Sequence, residues 1–282
     1  MLKKLLYPIF KRLYNIDSLV PKRFKFGLST FLYLSSGLFY ILVYAPNISF
    51  KVSTLFAVIS CILFIYPLIF GLVRGYDFSK ILPVPIIFIF SSFFILNYFP
   101  NLNTYFKISF LLFSSLIYYF LLLSLNVFLV VQEKGSKIPL LRPAKTTFLL
   151  VEVISIFLFT TNVYKFILPD PFTEVTFILQ IFLCFLVSYF FATQYWWSQD
   201  LEQDITNFVG NESITIAFCV SVIAASMSFF STESFFRGLA ISSVYYISIS
   251  FFQSIVTHKF VKSQFIEYIF ISFVVLFFLL LA

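Results

Sequence analysis

The chain has 282 residues, of which 61% are hydrophobic and only 11% charged. A water-soluble domain carries about 25% charged residues, so this composition excludes a large water-facing surface and makes lipid the solvent. The net charge of +7 suits either nucleic acid or an anionic membrane, and the distribution of the cations, described below, decides for lipid. The 44 phenylalanines agree with that choice, because Phe favours insertion. Nucleic-acid stacking platforms need solvated basic grooves, so nucleic acid is not an expected partner.

Residues 1–25 form the longest segment outside any expected span. Leu2, Leu5, Leu6, Ile9, Phe10 and Leu13 recur at helical spacing, with Lys3, Lys4, Lys11 and Arg12 on other faces. The pattern predicts a short basic amphipathic helix at the level of anionic lipid headgroups, or a plain positive-inside signal. Its basic region is long, a full-length apolar span follows, and there is no small-residue cleavage site, so it does not read as a cleavable signal peptide.

A membrane-spanning helix needs about 20 apolar residues. Nine runs qualify: Phe26–Ala45, Val52–Val73, Ile81–Phe99, Tyr105–Val131, Thr147–Ile167, Glu174–Trp197, Ser213–Phe230, Phe235–Val256 and Gln264–Ala282. Solid apolar runs without alternation predict helices and not a barrel. The expected fold is therefore all-α, a polytopic transmembrane helical bundle over residues 26–282 with nine spans, or eight if one of the last three fails. Placing the N-terminus inside puts 15 of the 19 Lys and Arg residues in inside segments and 4 in outside ones. That split predicts an N-in, multi-pass protein of a prokaryotic inner (cytoplasmic) membrane. No GxxxxGK[ST] string is present, which excludes a P-loop motor in this sequence.

Ionisable and amide side chains inside spans each need a reason. Glu152, Ser155, Phe159 and Asn162 share one helical face. With the span starting at Thr147, Glu152 lies about one turn inside it. A carboxylate there either snorkels to the cytoplasmic interface and pairs with Lys145, or begins a polar stripe along a cavity or proton path. Asn126, Gln180, Gln194 and Gln253 are buried in apolar runs and suit interhelical hydrogen bonds. Pro67, Pro83 and Pro85 are the candidate breaks in the spans.

Trp196 and Trp197 mark a headgroup level. Beyond them Asp200, Glu202 and Asp204 stand without a basic neighbour, and Leu201, Ile205, Phe208 and Val209 have helical spacing. This predicts a short acidic amphipathic helix closed by Gly210. It is either a solvated interfacial helix or a docking site for a basic partner or a divalent cation. Ala217, Ser221, Ala224, Ala225 and Ser228 follow small-xxx-small spacing, which predicts a helix deep in the bundle.

The string Thr232-Glu233-Ser234-Phe235-Phe236-Arg237-Gly238 resembles the EExxFRG motif of the CPBP family of intramembrane proteases, relatives of the type II CAAX prenyl endopeptidases. The resemblance covers these seven positions. It would set Glu233 at the second Glu and Arg237 at the Arg. Thr232 stands where that family has its first Glu, which acts on the catalytic water. The family's later motifs need at least two histidines, and His258 is the single one here. The resemblance therefore implies a catalytically degenerate relative. From the residues alone, Glu233 and Arg237 at i, i+4 predict an intrahelical ion pair.

Cys61, Cys184 and Cys219 lie in apolar runs without a His or Cys at ligand spacing, so no metal or other cofactor is expected. The residues point first to a non-enzymatic membrane component that binds lipid or other membrane proteins. Secondary transport and a degenerate protease relative are the alternatives.

Overall fold

In the computed structural model, residues 21–44, 59, 81–96, 103–134, 139–167, 174–199, 207–230, 232–256 and 262–281 are described. Among these the structure is all-helical, with no strand. The helices are α1 Lys22–Phe39, α2 Pro83–Ile95, α3 Thr104–Lys134, α4 Leu141–Asn162, α5 Glu174–Gln199, α6 Asn207–Ser228, α7 Ser234–Val256 and α8 Lys262–Leu281. Short π-helical turns, Tyr40–Tyr44 and Val163–Ile167, prolong α1 and α4.

Among the described residues, five helical stretches are long and apolar enough to cross a membrane: Thr104–Gln132, Leu141–Lys165, Val175–Gln199, Gly210–Ser228 and Ser234–Val256. Pro83–Ile95 and Gln264–Leu279 are shorter apolar helices. The expected span Val52–Val73 apart from Ile59, the basic segment 1–20 and the acidic residues Asp200, Glu202 and Asp204 lie outside the described residues.

Helix starts follow local chemistry. α2 begins on Pro83, whose missing N–H falls where the first helical turn has no acceptor to offer, so Pro83 and Pro85 open this helix instead of breaking it. α4 begins at Leu141 and carries Pro143 in its first turn. It therefore starts six residues before Thr147, where apolarity alone set the boundary. Gly210 does not close a helix: α6 runs without interruption from Asn207 through it to Ser228. Glycine costs only about 1 kcal/mol in a helix interior, and the hydrogen-bonded ladder continues over it.

The chain divides into two compact units, Met1–Phe93 with Pro100–Ala144, and Phe94–Phe99 with Lys145–Ala282. In the first, α1 packs on α3. The crossing is close at Gly37, where a Cβ would run into the Leu111 side chain. Polar side chains meet inside: Tyr33 Oη donates to Ser92 Oγ at 2.7 Å, and the Ser29 and Tyr118 hydroxyls lie 3.0 Å apart. Tyr33 also packs edge-on against Phe93 and tilted against Tyr118.

In the second unit α6 contacts both α5 and α7, and α8 packs on α7. Ala217, Ser221, Ala224 and Ser228 are buried along α6, so its small residues do lie on an inward face, while Phe218 and Val222 on other faces are exposed. α7 also meets α4 closely. A Cβ on Gly238 would collide with the Thr161 hydroxyl and lie 3.1 Å from the Phe157 carbonyl oxygen. One step earlier the Phe157 and Phe235 rings pack edge to face, 5.1 Å between centroids.

Candidate functional site: the polar interior of the second unit

The second unit exposes apolar side chains and buries several polar ones within its apolar core. Phe265, Ile266, Phe270 and Phe273 of α8 are exposed, whereas Glu152, Ser155, Asn162, Gln180 and Gln194 are 0–1% exposed. Polar groups removed from solvent need partners, and α7 supplies one to Glu152 through Tyr245.

Glu152 is at the middle of this interior. It is the twelfth residue of the 25-residue apolar helix Leu141–Lys165, about 16 Å along the axis from Leu141 at about 1.5 Å per residue. Its Oε2 accepts a long hydrogen bond, 3.4 Å, from the hydroxyl of Tyr245. Its Oε1 has no hydrogen-bond partner among the described residues. The Lys145 pairing that its spacing from Thr147 implied is not observed: the Lys145 ammonium donates to the Gln199 carbonyl at 2.9 Å, and the earlier helix start places Glu152 near the middle of its helix. Ser155 and Asn162 share the buried face of Glu152. Ser155 turns its hydroxyl back to the Val151 carbonyl at 2.6 Å, a bond within its own helix.

Tyr245, the partner of Glu152, belongs to a row of polar side chains along α7. Tyr246 Oη donates to Glu267 on α8 at 2.7 Å, and Ser254 Oγ donates to Gln264 on α8 at 2.9 Å. Gln253 accepts from the hydroxyl of Tyr195 on α5 at 2.6 Å. These bonds tie α7 to three neighbouring helices. Apolar-run reading picked out Gln253 but passed over Tyr195, Tyr245 and Tyr246, because tyrosine counts with the hydrophobic residues. Their one signal in sequence is the amphipathic character of the side chain itself.

A second polar group is built around Gln180. Ser228 Oγ donates to Gln180 Oε1 at 3.0 Å, and Tyr164 Oη donates to the Ala224 carbonyl at 2.8 Å and lies 3.3 Å from Ser228 Oγ. The Arg237 guanidinium carbon sits 5.5 Å from the centroid of the Tyr164 ring. Arg237 Nη2 donates to the Phe230 carbonyl at 2.7 Å, just beyond the end of α6.

These contacts replace the ion pair expected of Glu233 and Arg237. No ion pair joins them among the described residues. Glu233 is exposed ahead of α7, where its backbone carbonyl accepts from Phe236 and Arg237 N–H. The four residues Phe235 to Gly238 thus meet α4, the preceding turn and Phe278 of α8 through packing. No group of three or more His, Cys, Asp or Glu side chains able to hold a metal occurs among the described residues. Comparison with family models, curated proteins and solved structures finds no match to this chain.

Proposed function

We propose that this chain is a multi-pass integral membrane protein that binds lipid or another membrane protein against its helical surface, and does no covalent chemistry. The observation that carries the reading is the inverted distribution of polarity. Side chains such as Gln180 and Gln194 are buried, while Phe229 of the α6–α7 turn is 81% exposed and Phe265, Phe270 and Phe273 of α8 are 64–65% exposed. Hydrocarbon rewards that arrangement and water penalises it. In this reading nine spans thread a prokaryotic inner membrane with the N-terminus inside, and the basic N-terminal segment meets anionic headgroups. The acidic stretch at Asp200, Glu202 and Asp204 is the first place to look for a protein partner.

The test is native mass spectrometry of protein extracted from its own membrane without delipidation. A co-purifying lipid of defined mass or a stoichiometric protein supports the reading. A monodisperse, ligand-free protein counts against it. Secondary transport is the second reading, favoured by Glu152 at mid-span, since carboxylates within spans mark ion and substrate paths. Solute flux in proteoliposomes that is abolished by Glu152→Gln would move the assignment there.

A further inference from the structure

Glu152 is completely buried, and among the described residues its carboxylate accepts one long bond on Oε2, from Tyr245, and none on Oε1. The titratable groups that face it from neighbouring helices are Tyr245 on α7 and Tyr195 on α5. Both are neutral hydroxyl bearers, and Tyr195 already donates its proton to Gln253. On its own helix the nearest cation in sequence is Lys145, two turns away, which donates to the Gln199 carbonyl. Ser155, one turn on, donates to Val151. No described side chain supplies Glu152 with a positive charge.

A bare carboxylate is not tolerated in such surroundings. Taking a charge out of water carries a desolvation penalty that one hydrogen bond from a hydroxyl does not offset. Nothing among the described residues balances the charge, which leaves a small cation from outside the chain as the group that would neutralise it.

We propose that Glu152 and the Tyr245 hydroxyl form a binding site for a monovalent cation, either a proton carried on Oε1 or an alkali ion held by Oε1, Oε2 and Tyr245 Oη. A proton or an alkali ion does the same work there: it neutralises the carboxylate. Tyr245 keeps its role in either case, donating to Oε2 when a proton sits on Oε1, or offering its oxygen lone pair to an alkali ion. Binding bridges α4 and α7 at mid-span, so the bound and empty forms differ in how firmly these two helices are joined. The proposal stands apart from the lipid- or protein-binding reading, because it concerns the interior of the second unit and not its surface.

The experiment uses the full-length protein in detergent. Melting temperature is followed at fixed pH and ionic strength while N-methyl-D-glucamine is exchanged for Na+, and separately without Na+ from about pH 5 to 9. Wild type is compared with Glu152→Gln and Tyr245→Phe. A site filled to a hundred times its Kd raises the melting temperature by about 5–10 °C. The expected result is a wild-type shift that is absent in Glu152→Gln and reduced in Tyr245→Phe. A response to Na+ at fixed pH identifies an alkali ion, and a response to pH alone identifies the proton. The same response in wild type and Glu152→Gln overturns the proposal, as does a flat wild type in both titrations.

A measurement on wild type alone guards against a variant that fails to fold. Dicyclohexylcarbodiimide modifies protonated carboxyls in apolar surroundings. Its adduct on the peptide carrying Glu152 should fall severalfold on raising the pH or adding Na+. Labelling of that peptide indifferent to both conditions, or its complete absence, overturns the proposal.

Discussion

Arg237 shows how one side chain can be given a role by sequence and another by its neighbours. Spacing of four residues favours a pair with Glu233, yet an exposed ion pair is worth at most about 1 kcal/mol and is screened by salt. The Phe230 carbonyl beyond the end of α6 and the face of the Tyr164 ring compete for the same guanidinium and hold it. Arg237→Ala should lower stability in detergent by about 1–2 kcal/mol, combining a lost hydrogen bond and a lost cation–π contact. Glu233→Ala should change it by less than about 0.5 kcal/mol. Equal losses from the two substitutions in thermal or denaturant unfolding would restore the ion pair. Glu152 makes the related point about depth. Its place near the middle of α4 follows from the helix start at Leu141, because a helix boundary set by apolarity cannot register a first stretch that carries Arg142, Pro143 and Lys145.

At the level of elements, α7 depends on Gly238 to approach α4. Replacing glycine by alanine inside a helix ordinarily gains about 1 kcal/mol, so the sign of the effect is diagnostic. At Gly238 the added methyl meets the backbone of Phe157 and Thr161, which cannot swing aside. Gly238→Ala should therefore destabilise by about 1–3 kcal/mol through overpacking. Gly210→Ala is the internal control, since nothing lies within 4 Å of the Cβ it would add. It should be neutral or stabilise by up to about 1 kcal/mol. A stabilised Gly238→Ala protein would show that the crossing is looser than described. Phe235, Phe236, Arg237 and Gly238 of the seven-residue string each pack against a neighbour at or beside this crossing. Helix existence was easily read from sequence, since apolar runs of about 20 residues have few other uses. Which face of each helix turns inward was legible only where the residues carried a strong signal, as the small residues of α6 did.

For the whole molecule, the uneven placement of Lys and Arg argues for an inside N-terminus, and the test is accessibility. Single cysteines at Lys137 and Asn103, in a background lacking Cys61, Cys184 and Cys219, should react oppositely with an impermeant maleimide in right-side-out membrane vesicles. Position 103 should label and position 137 should label only after permeabilisation; the reverse pattern would invert the topology. The sequence by itself determined that this chain is helical and built for hydrocarbon. Both conclusions rest on composition and run length, which follow from the cost of unsatisfied backbone in lipid and require no knowledge of neighbours. Tertiary structure alone decided that Glu152 meets Tyr245 and that Arg237 leaves Glu233 for Phe230 and Tyr164. Those partners lie 93, 7 and 73 residues away in the chain. A hydrogen bond depends on a distance of about 3 Å, and no periodicity within one helix states how near another will come.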